Sequence, residues 1–102
     1  MFDTRHIKWW WQRRTRGWDN RDLWSLDITV FEFLLPRLKK FAVSSKGYPM
    51  DTTSEGWDEE LAKMIRSIEL WLDGDGWVGP ENREEFEVGW RLLTERFFHM
   101  WL

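Results

Sequence analysis

The chain has 102 residues, with 15 Lys and Arg against 18 Asp and Glu, a formal net charge of -3 and no cysteine. A hydrophobic share of 42% is enough for one folded domain and argues against disorder. The absence of cysteine excludes disulfides and cysteine-based zinc or redox chemistry, and no apolar run approaches the roughly 18 residues of a membrane span.

The charge is unevenly spread. Residues 1–21 hold six Lys/Arg and two Asp, and residues 22–102 hold nine Lys/Arg and sixteen Asp/Glu. The positive end can meet an anion, or it can dock on the acidic remainder of its own chain or of a neighbour. The acidic total disfavours binding to a long nucleic acid.

The first predicted element is an arm, residues 1–18. Lys8 to Arg16 reads Lys-Trp-Trp-Trp-Gln-Arg-Arg-Thr-Arg, with three of the chain's ten tryptophans in a row. Three adjacent side chains cannot share one face of a helix or strand. The stretch Asp3–Thr15 shows no helical period, and Gly17 closes it. An extended aromatic and basic arm, or a short strand, is the expectation. Trp9, Trp10 and Trp11 then pack internally, between subunits or around a pocket.

Residues 19–102 read as three helices, making an all-α fold with no internal repeat. The first starts near Asp19–Asp22, with Asp19 or Asn20 as cap. Its apolar positions Leu23, Leu26, Val30, Leu34, Leu38 and Phe41 are widened by Trp24, Ile28, Phe31 and Leu35, so a central, heavily covered helix is expected. Pro36 interrupts its hydrogen bonding toward Glu32. Residues 42–53 form a loop with Ser44, Ser45, Gly47 and Pro49 as breakers.

Ser54 caps the second helix, whose Trp57, Leu61, Met64, Ile65, Ile68, Trp71 and Leu72 fall on one face, with acid in the first turn. Asp73–Pro80 is a connection. The third helix begins at Pro80 and Glu81 and turns Phe86, Gly89, Trp90, Leu93, Phe97, Met100 and Trp101 inward. Val88, Leu92 and Phe98 lie off that stripe, as contacts for the arm or a second subunit.

Few residues suggest chemistry. Asp27 shares a helix face with Trp24 and Phe31, and a buried carboxylate needs a partner. It either anchors the fold, accepting from an Arg or a Trp N–H, or accepts from a ligand N–H. Asp73-Gly-Asp-Gly-Trp77 opens like a calcium loop, but Trp77 and Val78 occupy the fifth position and the obligatory glycine position, so a helix C-cap and turn is expected. His6 and His99 form no local metal motif, no acid pair stands out as a dyad, and there is no phosphate loop or nucleophile elbow. No metal, cofactor or catalytic residue is assigned. Arg13, Arg14 and Arg16, with Arg21, make the best anion site. Arg37 with Lys39 and Lys40, and Arg91 with Arg96, are smaller clusters.

The stretch Arg16-Gly-Trp-Asp-Asn-Arg-Asp-Leu-Trp-Ser-Leu-Asp27, Leu35-Pro-Arg-Leu-Lys-Lys-Phe41, Gly47-Tyr-Pro49, Glu55-Gly-Trp-Asp-Glu-Glu-Leu-Ala-Lys-Met-Ile65 and the Gly89-Trp-Arg-Leu-Leu section resemble a widespread family of small tailed-bacteriophage proteins. Some phage proteins near this family are anti-CBASS sponges, which sequester cyclic nucleotide signals of bacterial immunity without degrading them. The resemblance implies a noncatalytic protein in the host bacterial cytoplasm. A cyclic di- or trinucleotide needs aromatic platforms and phosphate donors, and a symmetric ligand favours a symmetric oligomer. By residue type and clustering, Trp18, Trp24, Tyr48 and Trp57 are the stacking candidates. Arg14, Arg16, Arg37 and Arg91 are the phosphate candidates, and Asp27 is the candidate acceptor. The rival expectation is a structural or adaptor protein, or a host-protein inhibitor, working through an aromatic interface.

Overall fold

The structure, a computed structural model, describes residues 4–44 and 47–100. The expected roles of Ser45 and Trp101 lie outside the described residues. Among those residues the chain is all-α: α1 Arg5–Arg16, α2 Leu26–Ser44, α3 Ser54–Asp73 and α4 Arg83–Arg96, with short 3-10 turns at Asn20–Leu23, Pro80–Asn82 and Phe97–His99.

The expected extended arm is instead a helix. The run Arg5–Arg16 contains neither Gly nor Pro, and it ends in a recognisable stop signal. Arg13, Arg14 and Arg16 fill the last turn, Gly17 takes the left-handed conformation at φ 83°, and its N–H donates to the Arg13 carbonyl. Three adjacent tryptophans need not share a face. Trp9 points inward, while Trp10 and Trp11 are exposed.

The next expected helix begins later than Asp22. Asp19 caps the 3-10 turn by accepting from the Arg21 N–H, and α2 proper starts at Leu26. Thr29 ties the two together, its hydroxyl donating to the Asp22 carbonyl at 2.9 Å. α2 runs on through Pro36 to Ser44, three residues into the expected loop. The cap of α3 is Thr53 rather than Ser54, its hydroxyl accepting from the Gly56 N–H at 3.0 Å. α4 starts after the Pro80–Asn82 turn, so Pro80 opens a 3-10 segment and not the helix itself.

The central helix is α3, not α2. α3 packs against both α2 and α4, and its Leu61, Met64 and Ile68 are almost wholly buried. Phe31 and Leu38 of α2, Trp57 of α3 and Leu93 of α4 complete the core. α2 is covered on one side only, because the sequence supplies it with apolar residues on two faces while α3 fills one. Gly89 lets α4 approach α3 closely: a β-carbon there would overlap the Lys63 carbonyl and the Ser67 side chain. The Ser67 hydroxyl donates to the Phe86 carbonyl at 2.7 Å across the same contact.

Arg96 joins this contact to the loop before α3. Its guanidinium donates to Glu60 at 3.1 Å and to Asp51 at 2.9 Å. The turn after α3 places Asp75 and Gly76 at φ 51° and 89° and leaves Trp77 exposed, so the Gly-rich stretch is a reversal between helices. The whole is flat and elongated, 58 × 35 × 18 Å, with a radius of gyration of 16.9 Å. A compact chain of this length has about 13 Å.

Candidate functional site

α1 touches the rest of the molecule chiefly through the Asn20–Leu23 turn. The two meet at Asp19, whose carboxylate is completely buried. Arg13 donates to it at 3.0 Å, and the Arg21 side chain donates twice, at 3.1 and 2.9 Å. Arg13 also reaches Asp22 at 3.1 Å. The Arg21 guanidinium, then its backbone N–H and Arg13, hold the Asp19 carboxyl far below the usual carboxylate range, against the opposing effect of burial. Arg21 is raised in turn by its bond to Asp19.

Trp9 seals this joint. The Arg21 guanidinium lies 4.6 Å from its ring centre, and His6 and Trp24 meet it edge-on at 5.2 and 5.5 Å. Arg13 and Arg21 are therefore neutralised chiefly by Asp19 of their own basic segment, with Asp22 contributed by the acidic remainder.

Helical spacing then separates two rows on α1. Trp9 and Arg13, four residues apart, face the turn. His6, Trp10 and Arg14, also at four-residue steps, form the neighbouring row. A cleft of about 360 Å³ lies between the rows and Arg21, lined by His6, Trp9, Trp10, Arg13, Arg14 and Arg21. That volume is in the range of small-molecule sites.

The two rows differ chemically. Trp9 has its ring surrounded, whereas Trp10 is 61% exposed and tilts against Trp11 at 6.0 Å. Arg13 and Arg21 are occupied by carboxylates, whereas Arg14 has no hydrogen-bond or ion-pair partner among the described residues. Arg14 thus brings an unneutralised guanidinium beside an open indole, which suits a flat anion.

Of the expected anion cluster, Arg13, Arg14 and Arg21 line this cleft, and of the residues assigned to ligand contacts Arg14 does. Arg16 is not in the lining; its guanidinium lies 3.6 Å from the centre of the Trp18 ring, and it donates to the Asn20 side chain at 2.9 Å. Its partners are neutral groups. Trp24 is exposed and borders the cleft through Trp9.

The other candidates are elsewhere. Trp57 is 3% exposed in the core between the helices and offers no face for stacking. Asp27 is exposed rather than buried, and accepts from the Trp71 indole N–H at 2.9 Å. That is the anchoring role, on the rim of the α2–α3 contact. Arg37 stacks on Phe33 of its own helix at 3.6 Å, and Tyr48 and Arg91 stand exposed away from the cleft lining.

His6 and Trp10 join the arginines of the expected anion cluster only because residues 5–16 are helical. The four-residue steps from His6 to Arg14 are visible in the sequence and would have grouped them. No helix among the described residues is long and apolar enough to cross a membrane. No family model, curated protein or solved structure matches the chain.

Proposed function

We propose that the chain is a noncatalytic binding protein of phage origin that sequesters a cyclic nucleotide immune signal in the host bacterial cytoplasm. The observation that supports this reading is the row His6–Trp10–Arg14 along an open cleft of about 360 Å³. Trp10 is a platform for a base, Arg14 a partner for a phosphate, and Arg16 a second unneutralised cation next to Trp18. His6 adds a further ring at the cleft's edge. The remaining cations in the joint, Arg13 and Arg21, are paired with Asp19 and Asp22 and hold α1 in place.

Isothermal titration with a panel of cyclic di- and trinucleotides tests the proposal. Saturable binding, with the ligand recovered chemically unchanged, is the expected result. Absence of heat across the panel at high micromolar protein would reject it, and catalytic consumption of any ligand would reject the noncatalytic part.

A second reading, a structural or adaptor protein or a host-protein inhibitor, draws on the exposed Trp11, Trp24, Trp77 and Phe98. Aromatic side chains of this kind are common anchors of protein contacts. It is distinguished by a specific host protein retained by the immobilised chain, with retention lost on Trp24→Ala or Trp11→Ala.

A further inference from the structure

α2 turns a second apolar face outward. Leu26, Val30 and Phe33, at steps of four and three, lie on one side of the helix, opposite Phe31 and Leu38 in the core. They are 55%, 49% and 60% exposed, and Leu23 just before the helix is 57% exposed. The stripe is continued by Arg37, whose guanidinium lies 3.6 Å over the Phe33 ring and covers one of its faces.

We infer that this face docks on the same face of a second copy of the chain, with the two α2 helices antiparallel about a two-fold axis near Val30. Three features select that occupant. The first is charge. The N-terminal end of α2 and the turn before it carry Asp27 and Asp22, the latter also paired with Arg13, and the C-terminal half carries Arg37, Lys40 and Lys39, the last also paired with Glu69. An antiparallel pairing centred on residue 30 sets Arg37 of each copy beside the Asp22–Leu23 end of the other, so one surface complements itself, as a two-fold interface requires. Arg37 has no acidic partner within its own chain among the described residues, its guanidinium donating only to the Phe33 carbonyl at 2.8 Å.

The second is area. About half of four large apolar side chains is on the order of 400 Å², at the size where exposed patches mark interaction sites. It is also close to the apolar share of the about 800 Å² that each partner buries in a standard interface. The third is shape. A molecule 18 Å thick with a radius of gyration of 16.9 Å is a slab, and pairing through α2 gives the outer helix the second cover that its two-faced sequence requires. This pairing is independent of whether the α1 cleft binds a nucleotide.

Sedimentation equilibrium of the full chain, from low to high micromolar, tests the inference. A dimer is expected, weakened roughly 30-fold or more by Phe33→Asp within the face. Arg37→Glu is expected to weaken it less, and to reduce its dependence on salt. Phe33 and Arg37 are exposed, and far-UV circular dichroism of each variant checks that the helices remain. The natural chain has no cysteine, so Val30→Cys provides a clean second readout: oxidation is expected to give a disulfide-linked dimer, and Glu87→Cys on the outer face of α4 is expected to give none. A monomer throughout the concentration range would overturn the inference. So would a dimer indifferent to Phe33→Asp, or cross-linking through position 87 and not 30.

Discussion

Asp19 has no solvent exposure, yet three arginine N–H groups and the Arg21 backbone N–H converge on it. A buried carboxylate deprived of such donors is strongly unfavourable, which makes Asp19 the residue on which the position of α1 depends. Asp19→Asn keeps the shape but removes the charge that both arginines require. The expected outcome is release of α1, read as a red shift in tryptophan emission as Trp9 becomes hydrated, while the α3–α4 helices persist in far-UV circular dichroism.

Acid should produce the same change. The folded pKa of Asp19 lies below its unfolded value, near 3.9. Its stabilising effect is therefore complete above about pH 4 and falls away as the pH drops further. Asp51, held down by its hydrogen bond to Arg96, acts in the same direction on the loop before α3. The emission shift should appear in the wild type as acid is added. It should already be present at neutral pH in Asp19→Asn. An unchanged emission spectrum in that variant would show that Trp9 docks without the carboxylate.

At the scale of elements, the α3–α4 contact depends on close approach at Gly89. Gly89→Ala adds one methyl group against the Lys63 carbonyl and Ser67. Overpacking of this kind costs about 1–3 kcal/mol, a fall of several degrees in Tm for a domain of this size. At Gly17 there is open space but a φ of 83°, so Gly17→Ala meets only backbone strain, about 1 kcal/mol. Thermal melts of the two variants should rank in that order, and a neutral Gly89→Ala would contradict the packing described.

These elements were unequally legible in the sequence. The α3 helix was plain, because Trp57, Leu61, Met64 and Ile68 follow one face and the acidic first turn marks its start. The α1 helix was obscured by its three consecutive tryptophans, which break any simple apolar period. Its evidence lay in the termination signal, Arg13, Arg14 and Arg16 followed by Gly17. α2 misled in a different way: apolar residues around most of its circumference suggested a central helix, but one face is left open to solvent. With α1 read as an arm, the cleft's arginines Arg13, Arg14 and Arg21 could be chosen by residue type, but His6 and the tryptophans could not. The neighbours that give the cleft its shape depend on helical spacing and on the Asp19 joint.

At the scale of the whole molecule, the slab has a well-covered centre at α3 and a lightly attached end at α1. Local stability follows the density of buried contacts. Amide hydrogen exchange should therefore be slowest in Leu61–Ile68 and fastest among the helices in Arg5–Arg16. Ligand bound in the cleft is expected to slow exchange in α1 selectively, since the cleft is built almost wholly from that helix. Equal protection of α1 and α3 in the free protein would contradict this division.

The central claim is that the cleft on α1 takes a flat anion through Trp10 and Arg14. Side-by-side isothermal titration of the wild type and Arg14→Ala against the cyclic nucleotide panel tests it most directly. Arg14 makes no contact that holds the fold, so its removal should leave Tm unchanged. It should weaken binding about tenfold or more, as expected for a charge-assisted phosphate contact. Equal affinity in the two proteins, or no binding by either, would contradict the account.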